Sequence, residues 1–111
     1  MADDTPNEYD ELWRGFRWRV PTQMNIAELC SRRWAADSGH ASRTAILHEH
    51  ERGGRTRLSY AELQTCANRL SHALERLGVG PGDRVALLLP QRPETAIAHM
   101  AVYQMGAVAM P

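Results

Sequence analysis

Residues 84–110 read RVALLLPQRPETAIAHMAVYQMGAVAM, and the order of patterns inside this stretch decides the fold class. Arg84-Val85-Ala86-Leu87-Leu88-Leu89 is a nearly continuous apolar run with little alternation, as expected of a strand covered on both faces. Pro90 and Pro93 bracket a short loop, Pro93 suits a first helical position, and Ile97, Ala98, Ala101, Val102 and Met105 recur as a helical stripe up to Gly106. Strand character resumes over Ala107 to Met110. Strand, helix and strand in so short a span form a βαβ unit, whose strands run parallel and whose crossover is right-handed. The expected class is therefore α/β.

Upstream, Gly80-Pro81-Gly82-Asp83 makes a tight turn. It follows a helix that opens on Ser59 and Glu62, a capping box, and carries Leu63, Ala67, Leu70, Leu74 and Leu77 on one stripe before Gly78 ends it. Thr44-Ala45-Ile46-Leu47 and Arg57-Leu58-Ser59 are short strands around a polar stretch with Gly53-Gly54, which predicts a hairpin. Asn25 and Glu28 have the form of a helix N-cap with its reciprocal glutamate, so a helix is expected from near Ile26, with Ile26, Leu29, Cys30 and Trp34 on one face and Asp37-Ser38-Gly39 at its end. Residues 1–24 show no helical or strand period. They divide into an acidic stretch (Asp3, Asp4, Glu8, Asp10, Glu11) and an aromatic, basic one (Trp13-Arg14-Gly15-Phe16-Arg17-Trp18-Arg19), and are expected to form an arm pinned to its own domain by the aromatics. The organisation is thus an arm, 1–24, and a packed part, 25–111. Its expected core is Leu63, Leu70, Leu74, Val85, Leu87, Ile97 and Val102, with Gly78, Gly82 and Gly106 at turns.

With 111 residues, 43% hydrophobic and 23% charged, the chain suits one compact unit. Its 13 acidic residues balance 13 basic ones, which argues against a histone-like polyanion binder; no nucleic-acid partner is expected. Every basic residue is arginine. The absence of lysine removes Schiff-base chemistry and a lysine-bearing phosphate loop. Cys30 and Cys66 form no C-x-x-C and join no His/Cys cluster, so they read as reduced thiols of a cytoplasmic protein. The acidic start is the opposite of a targeting leader, and the apolar stretch Ala96 to Met110, interrupted by His99 and Gln104, falls short of the roughly 20 residues a membrane span needs.

Several motifs invite a chemical reading. Gly78-Val79-Gly80-Pro81-Gly82 has the composition of a phosphate-cradling loop, but such a loop precedes a helix N-terminus, whereas these glycines follow a helix C-terminus and are joined by Asp83. A structural turn is expected. His48-Glu49-His50-Glu51 places two imidazoles on one side of an extended segment, a spacing that could grip a transition metal; with no third ligand in the sequence, a solvated strand end is the preferred reading. His40, His72 and His99 are isolated, and Ser59 lacks a G-x-S-x-G context. Trp13, Phe16 and Trp18 between Arg14, Arg17 and Arg19 could stack bases, yet the carboxylates upstream cancel the local charge.

Taken in order, Leu58-Ser59-Tyr60-Ala61-Glu62-Leu63, Leu77-Gly78-Val79-Gly80-Pro81-Gly82-Asp83-Arg84-Val85-Ala86, Leu89-Pro90, Pro93-Glu94 and Gly106-Ala107-Val108 to Pro111 resemble the start of the AMP-forming acyl-CoA synthetase family. Thr44-Ala45-Ile46 fits the strand that precedes these blocks. Phe16, Trp18, Val20, Pro21 and Asn25 resemble the acetyl and medium-chain branches, and Arg92 stands where the family commonly has Asn. The resemblance implies a large ligase that joins a carboxylic acid to ATP, releases pyrophosphate and passes the acyl group to coenzyme A, with Mg²⁺ on the phosphates. It implies for this chain the incomplete N-terminal part of the large domain, whose partner is the remainder of its own polypeptide. In the family the reactive parts are a Ser/Thr/Gly-rich loop ending in Pro-Lys, an acidic ribose motif and a mobile C-terminal lysine. None is present here, so no catalytic, cofactor-binding or metal-binding residue is assigned, and the chain alone is expected to be inactive. The alternative is a stand-alone interaction module that uses an open sheet edge or the Arg/Trp arm to bind protein or nucleic acid.

Overall fold

The computed structural model describes residues 7–111; the first residues of the acidic arm, including Asp3 and Asp4, lie outside the described residues. Helix α1 spans Glu8–Gly15, where the sequence pattern was expected to hold no helix. Asn7 caps it, its side-chain oxygen accepting from the Asp10 amide at 2.9 Å. An eight-residue helix is too short to register as a period across a 24-residue arm, although Tyr9, Leu12, Trp13 and Phe16 share the i, i+3, i+4, i+7 spacing. No residue of α1 is buried. Trp13 is 72% exposed and Trp18 83%, so the aromatics do not pin the arm to the packed part as expected. Phe16 and Trp18 instead pack edge to face with centroids 5.0 Å apart.

Asn25 starts the second helical segment as expected, accepting from the amides of Ala27 and Glu28, while its own amide nitrogen donates to the Tyr103 carbonyl at 2.8 Å. The reciprocal half of the predicted cap does not form. Glu28 pairs with Arg32 at 3.3 Å, and Glu28–Arg32 winds as a π-helical turn before α2, Arg33–Ala36. The buried face also differs from expectation: Ile26, Leu29 and Cys30 are exposed and Trp34 half-buried, whereas Ala27 and Ser31 are sealed. Ala27 and Ser31 are small, which lets the segment lie close to its neighbour, and the Trp34 indole donates to the Leu29 carbonyl at 2.9 Å.

Strands β1 (Thr44–Glu49) and β2 (Arg55–Ser59) form the predicted antiparallel hairpin, extended toward its tip beyond the expected limits. Gly53 and Gly54 take positive φ at the reversal. Helix α3, Tyr60–Arg76, starts on the predicted capping box: Ser59 Oγ accepts from the Glu62 amide, and the Glu62 carboxylate accepts from the Ser59 amide at 2.8 Å. Strand β3, Arg84–Ala86, pairs in parallel with β4, Val108–Met110, across helix α4, Pro93–Gln104, which gives the predicted βαβ unit. β3 is shorter than its apolar run because β4 offers partners only as far as the Met110 carbonyl, which accepts from Leu87; Leu88 beyond it is 99% exposed.

The core lies where α3 meets α4. Leu63, Ala67, Ala98, Ala101 and Val102 are buried there, small residues admitting a close helix approach. Through it runs a polar chain with a single direction: Ser31 Oγ donates to Gln64 Oε1 at 2.8 Å, Gln64 Nε2 to Gln104 Oε1 at 2.8 Å, Gln104 Nε2 to Ser71 Oγ, and Ser71 Oγ to the Ala101 carbonyl at 2.9 Å. Of the expected core, Leu63 and Val102 are buried. Leu70, Leu74, Val85, Leu87 and Ile97 are only half-buried, and with Val102 they line an open apolar groove of about 520 Å³. Two strands cover too little of the α3–α4 pair to close it.

Three outcomes follow for stability. Gln64→Leu leaves the buried Ser31 hydroxyl without an acceptor and Gln104 without a donor, and should cost about 1–3 kcal/mol in urea unfolding. Ser59→Ala should cost about 1 kcal/mol by loss of the cap. The Ser59 amide, then its hydroxyl, holds the Glu62 carboxyl below the usual carboxylate range. That lowered pKa makes the cap stabilising at and above the ordinary carboxylate range, and the contribution disappears as pH falls through the folded-state value. Glu62→Gln should flatten this acid limb in a stability-against-pH series.

Candidate functional site

The glycine turn between α3 and β3 is the segment whose composition most suggests a ligand, and its amides decide the matter. The Gly78 amide donates to the Glu75 carbonyl, Val79 to Leu74, and Asp83 to Gly80. The Gly80 amide donates to the Asp83 carboxylate at 2.8 Å, and the Gly82 amide to the Gly106 carbonyl at 2.9 Å. Pro81 has no amide hydrogen. Every N–H of residues 78–83 is therefore committed within the chain, and the one anionic group aimed at the turn is its own Asp83. A phosphate-binding nest needs the opposite: free N–H groups converging on a vacant position.

The same bonds show what the turn does. Gly78, Gly82 and Gly106 all take positive φ, as expected at these positions. Gly82 binds Gly106, and the Val108 amide donates to the Asp83 carbonyl at 2.7 Å, so the turn before β3 is stitched to the turn before β4. A Cβ on Gly106 would meet Pro81 at 3.5 Å. The pair of turns sets the parallel register Arg84 to Val108.

The other candidates are dispersed. Ser59 is held in its cap and is no nucleophile poised beside a base. His40 pairs with Asp37 at 2.8 Å, and the Gly39 amide, then His40, holds the Asp37 carboxyl below its ordinary value. His99 Nδ1 lies 2.8 Å from the Thr95 carbonyl on α4, a satisfied helix histidine, and His72 is exposed on α3. His48 and His50 do come together at the end of β1, their ring centroids 4.5 Å apart. Among the described residues no group of three or more His, Cys, Asp and Glu side chains could hold a metal ion, and no helix is long and apolar enough to cross a membrane. Sequence reasoning missed the Ser31–Gln64–Gln104–Ser71 chain. A glutamine on each of two otherwise apolar helix faces was the available signal.

A family model described as AMP-binding enzyme matches residues 32–111, which include the hairpin, α3, the glycine turn and the βαβ unit. The chain belongs to the AMP-binding enzyme family. Acetyl-coenzyme A synthetase of Streptomyces coelicolor is 40% identical over 91 residues, covering 82% of this chain and 14% of the relative. That of Laribacter hongkongensis is 33% identical over 93 residues, covering 84% of this chain and 14% of the relative. Among solved structures, an acyl-CoA synthetase of Brucella canis superposes with a TM-score of 0.73 at 27% identity over 81% of this chain and 16% of that one. An anthranilate CoA ligase in complex with anthranoyl-AMP shares the fold with a TM-score of 0.67 at 23% identity, over 81% of this chain and 16% of that one. The chain thus spans about 14% of the length of the curated acetyl-CoA synthetases it matches.

The residues present do not fit ATP or Mg²⁺ at the glycine turn: no amide of residues 78–83 is free, no lysine exists, and the one charged side chain within those residues is the carboxylate of Asp83. ATP or inorganic phosphate should leave the amide NMR signals of residues 78–83 unmoved. Gly82→Ala, which forces a side chain onto φ +82 with open space around it, should cost about 1 kcal/mol by backbone strain alone.

Proposed function

We propose that this chain is the N-terminal segment of an ATP-dependent acyl-CoA synthetase, which converts a carboxylic acid, ATP and CoA to acyl-CoA, AMP and pyrophosphate, and that the segment is inactive by itself. Its organisation would be an arm, 1–24, followed by the first part of the large domain, 25–111. The observation that carries this reading is the open groove beside the βαβ unit. Five side chains with the pattern of core residues stand half-exposed there, on a two-strand parallel sheet of a kind that is stable when helices cover both faces. Family membership supplies a natural cover, the rest of the large domain.

The division of labour follows from the chemistry. A carboxylate is a poor electrophile, and adenylation gives it a leaving group that a thiol displaces; the phosphate charge must meanwhile be neutralised by cations. This chain offers no lysine, and its glycine turn offers no free amide, for that task. What its residues do is hold register. The capping box fixes where α3 starts, the linked turns fix where β3 and β4 pair, and the polar chain locks α3 to α4. Cys30 and Cys66, both free, fit a reducing cytoplasm.

Acid-dependent exchange of pyrophosphate into ATP tests the reading. The purified chain should show no exchange above the buffer blank, and the polypeptide extended to the family's full length should show it with a carboxylic acid present. Exchange by the chain alone overturns the claim of inactivity. A chain that is monodisperse, unfolds cooperatively and binds protein or single-stranded nucleic acid through an open sheet edge or the Arg/Trp arm would favour the interaction-module reading instead.

A further inference from the structure

We propose that His48 and His50 form a two-imidazole site for a late first-row divalent cation, Ni²⁺, Cu²⁺ or Zn²⁺, at the tip end of the β1–β2 hairpin. The inference is independent of the adenylation reading, because it rests on the hairpin alone.

Alternation carried one residue past the end of β1 places His48 and His50 on one side of the hairpin, while Glu49 points to the other and pairs with Arg55 at 3.8 Å. The rings lie with centroids 4.5 Å apart and planes at 79°. Metal–nitrogen bonds of about 2.0–2.1 Å put the centroids of two imidazoles bound cis to one ion about 4.5–5 Å apart. The observed edge-to-face pair has a centroid separation within that range. Thr56, directly across from His48 in the hairpin register, places its hydroxyl oxygen 2.6 Å from His50 Nε2. With Nε2–H donating to that oxygen, His50 Nδ1 keeps the lone pair a metal takes, the orienting arrangement common behind metal-bound imidazoles.

The ligand class follows from the donors. Imidazole nitrogen suits Ni²⁺, Cu²⁺ and Zn²⁺, whereas Mg²⁺ and Ca²⁺ prefer oxygen cages. With two protein donors, water completes the coordination shell, so the site is open on the solvent side and able to accept a further ligand. The hairpin reversal holds His50 in place: the His50 amide donates to the Gly54 carbonyl at 3.0 Å, and the Gly53 amide to the His50 carbonyl at 2.9 Å.

Ni²⁺ alone is the probe, titrated into the 111-residue chain and followed by NMR, where the ion broadens the signals of nearby nuclei. Cross-strand contacts between residues 47 and 57 report on the hairpin in the same sample. The expected result is saturable broadening centred on residues 48, 50 and 56, at least tenfold weaker in affinity for His48→Gln and for His50→Gln, and unchanged for His72→Gln on α3. Thr56→Val, which frees the His50 ring, should weaken binding while leaving the hairpin contacts intact. Broadening centred on Cys30, Cys66 or His72, equal affinity in the His48→Gln/His50→Gln double variant, or a hairpin that is not formed in the parent chain would overturn the proposal.

Discussion

The relay from buried Ser31 through buried Gln64 and half-buried Gln104 to buried Ser71 is the constraint on which the rest of the packing depends. Polar side chains at a helix–helix contact are costly unless every donor and acceptor is met, and here the chain of bonds runs in one direction without a break. Such a relay tolerates one relative position of its parts. Sliding α3 by a turn against α4 would strand an amide on each side, whereas an alanine-lined contact alone would permit several registers. The π-helical turn belongs to the same constraint, since it carries the Ser31 hydroxyl that starts the relay.

From that locked pair the two sheets take their places. The hairpin precedes α3 directly, with the amides of Tyr60 and Ala61 donating back to Arg43 and Ala41. The βαβ unit is held at the other end by the Gly82–Gly106 bond. What the pair does not do is bury its own apolar flank. Leu70, Leu74, Val85, Leu87 and Ile97 line a groove instead of a core, and that one unfilled space ties the local architecture to the functional reading of a segment built to be covered.

Much of this was legible from short-range pattern. The capping box, the hairpin glycines and the turn glycines are local devices whose residue type states the backbone conformation directly, and each stands where the pattern places it. The βαβ unit was legible because its periods change within a few residues. The face of the second helical segment was not: Ile26, Leu29, Cys30 and Trp34 look like a core stripe at ideal helical spacing, but the widened turn and the close approach to α3 select Ala27 and Ser31. Hydrophobicity also hid the relay, because Gln104 reads as an interruption until its partner across the helix pair is known. The extent of burial at Leu70 or Val85 depends on what packs against them in space, which no period along the sequence encodes.

The glycine turn shows most clearly why composition underdetermines chemistry. Three glycines, a proline and an adjoining helix are also the parts of an anion cradle, and the difference lies in the direction of the chain. Before a helix, successive amides point outward and add to the positive end of the dipole. After a helix, the first amides turn back onto the carbonyls that the last turn leaves open, as Gly78 and Val79 do; those of Gly80 and Asp83 close the turn on itself, and that of Gly82 joins it to the turn before β4. Asp83 completes the inversion, an anion supplied by the protein at the position where an anionic ligand would otherwise sit. The turn is therefore a register device by the same physics that would have made it a binding loop, and the phosphate chemistry of the family must be sought in residues other than these.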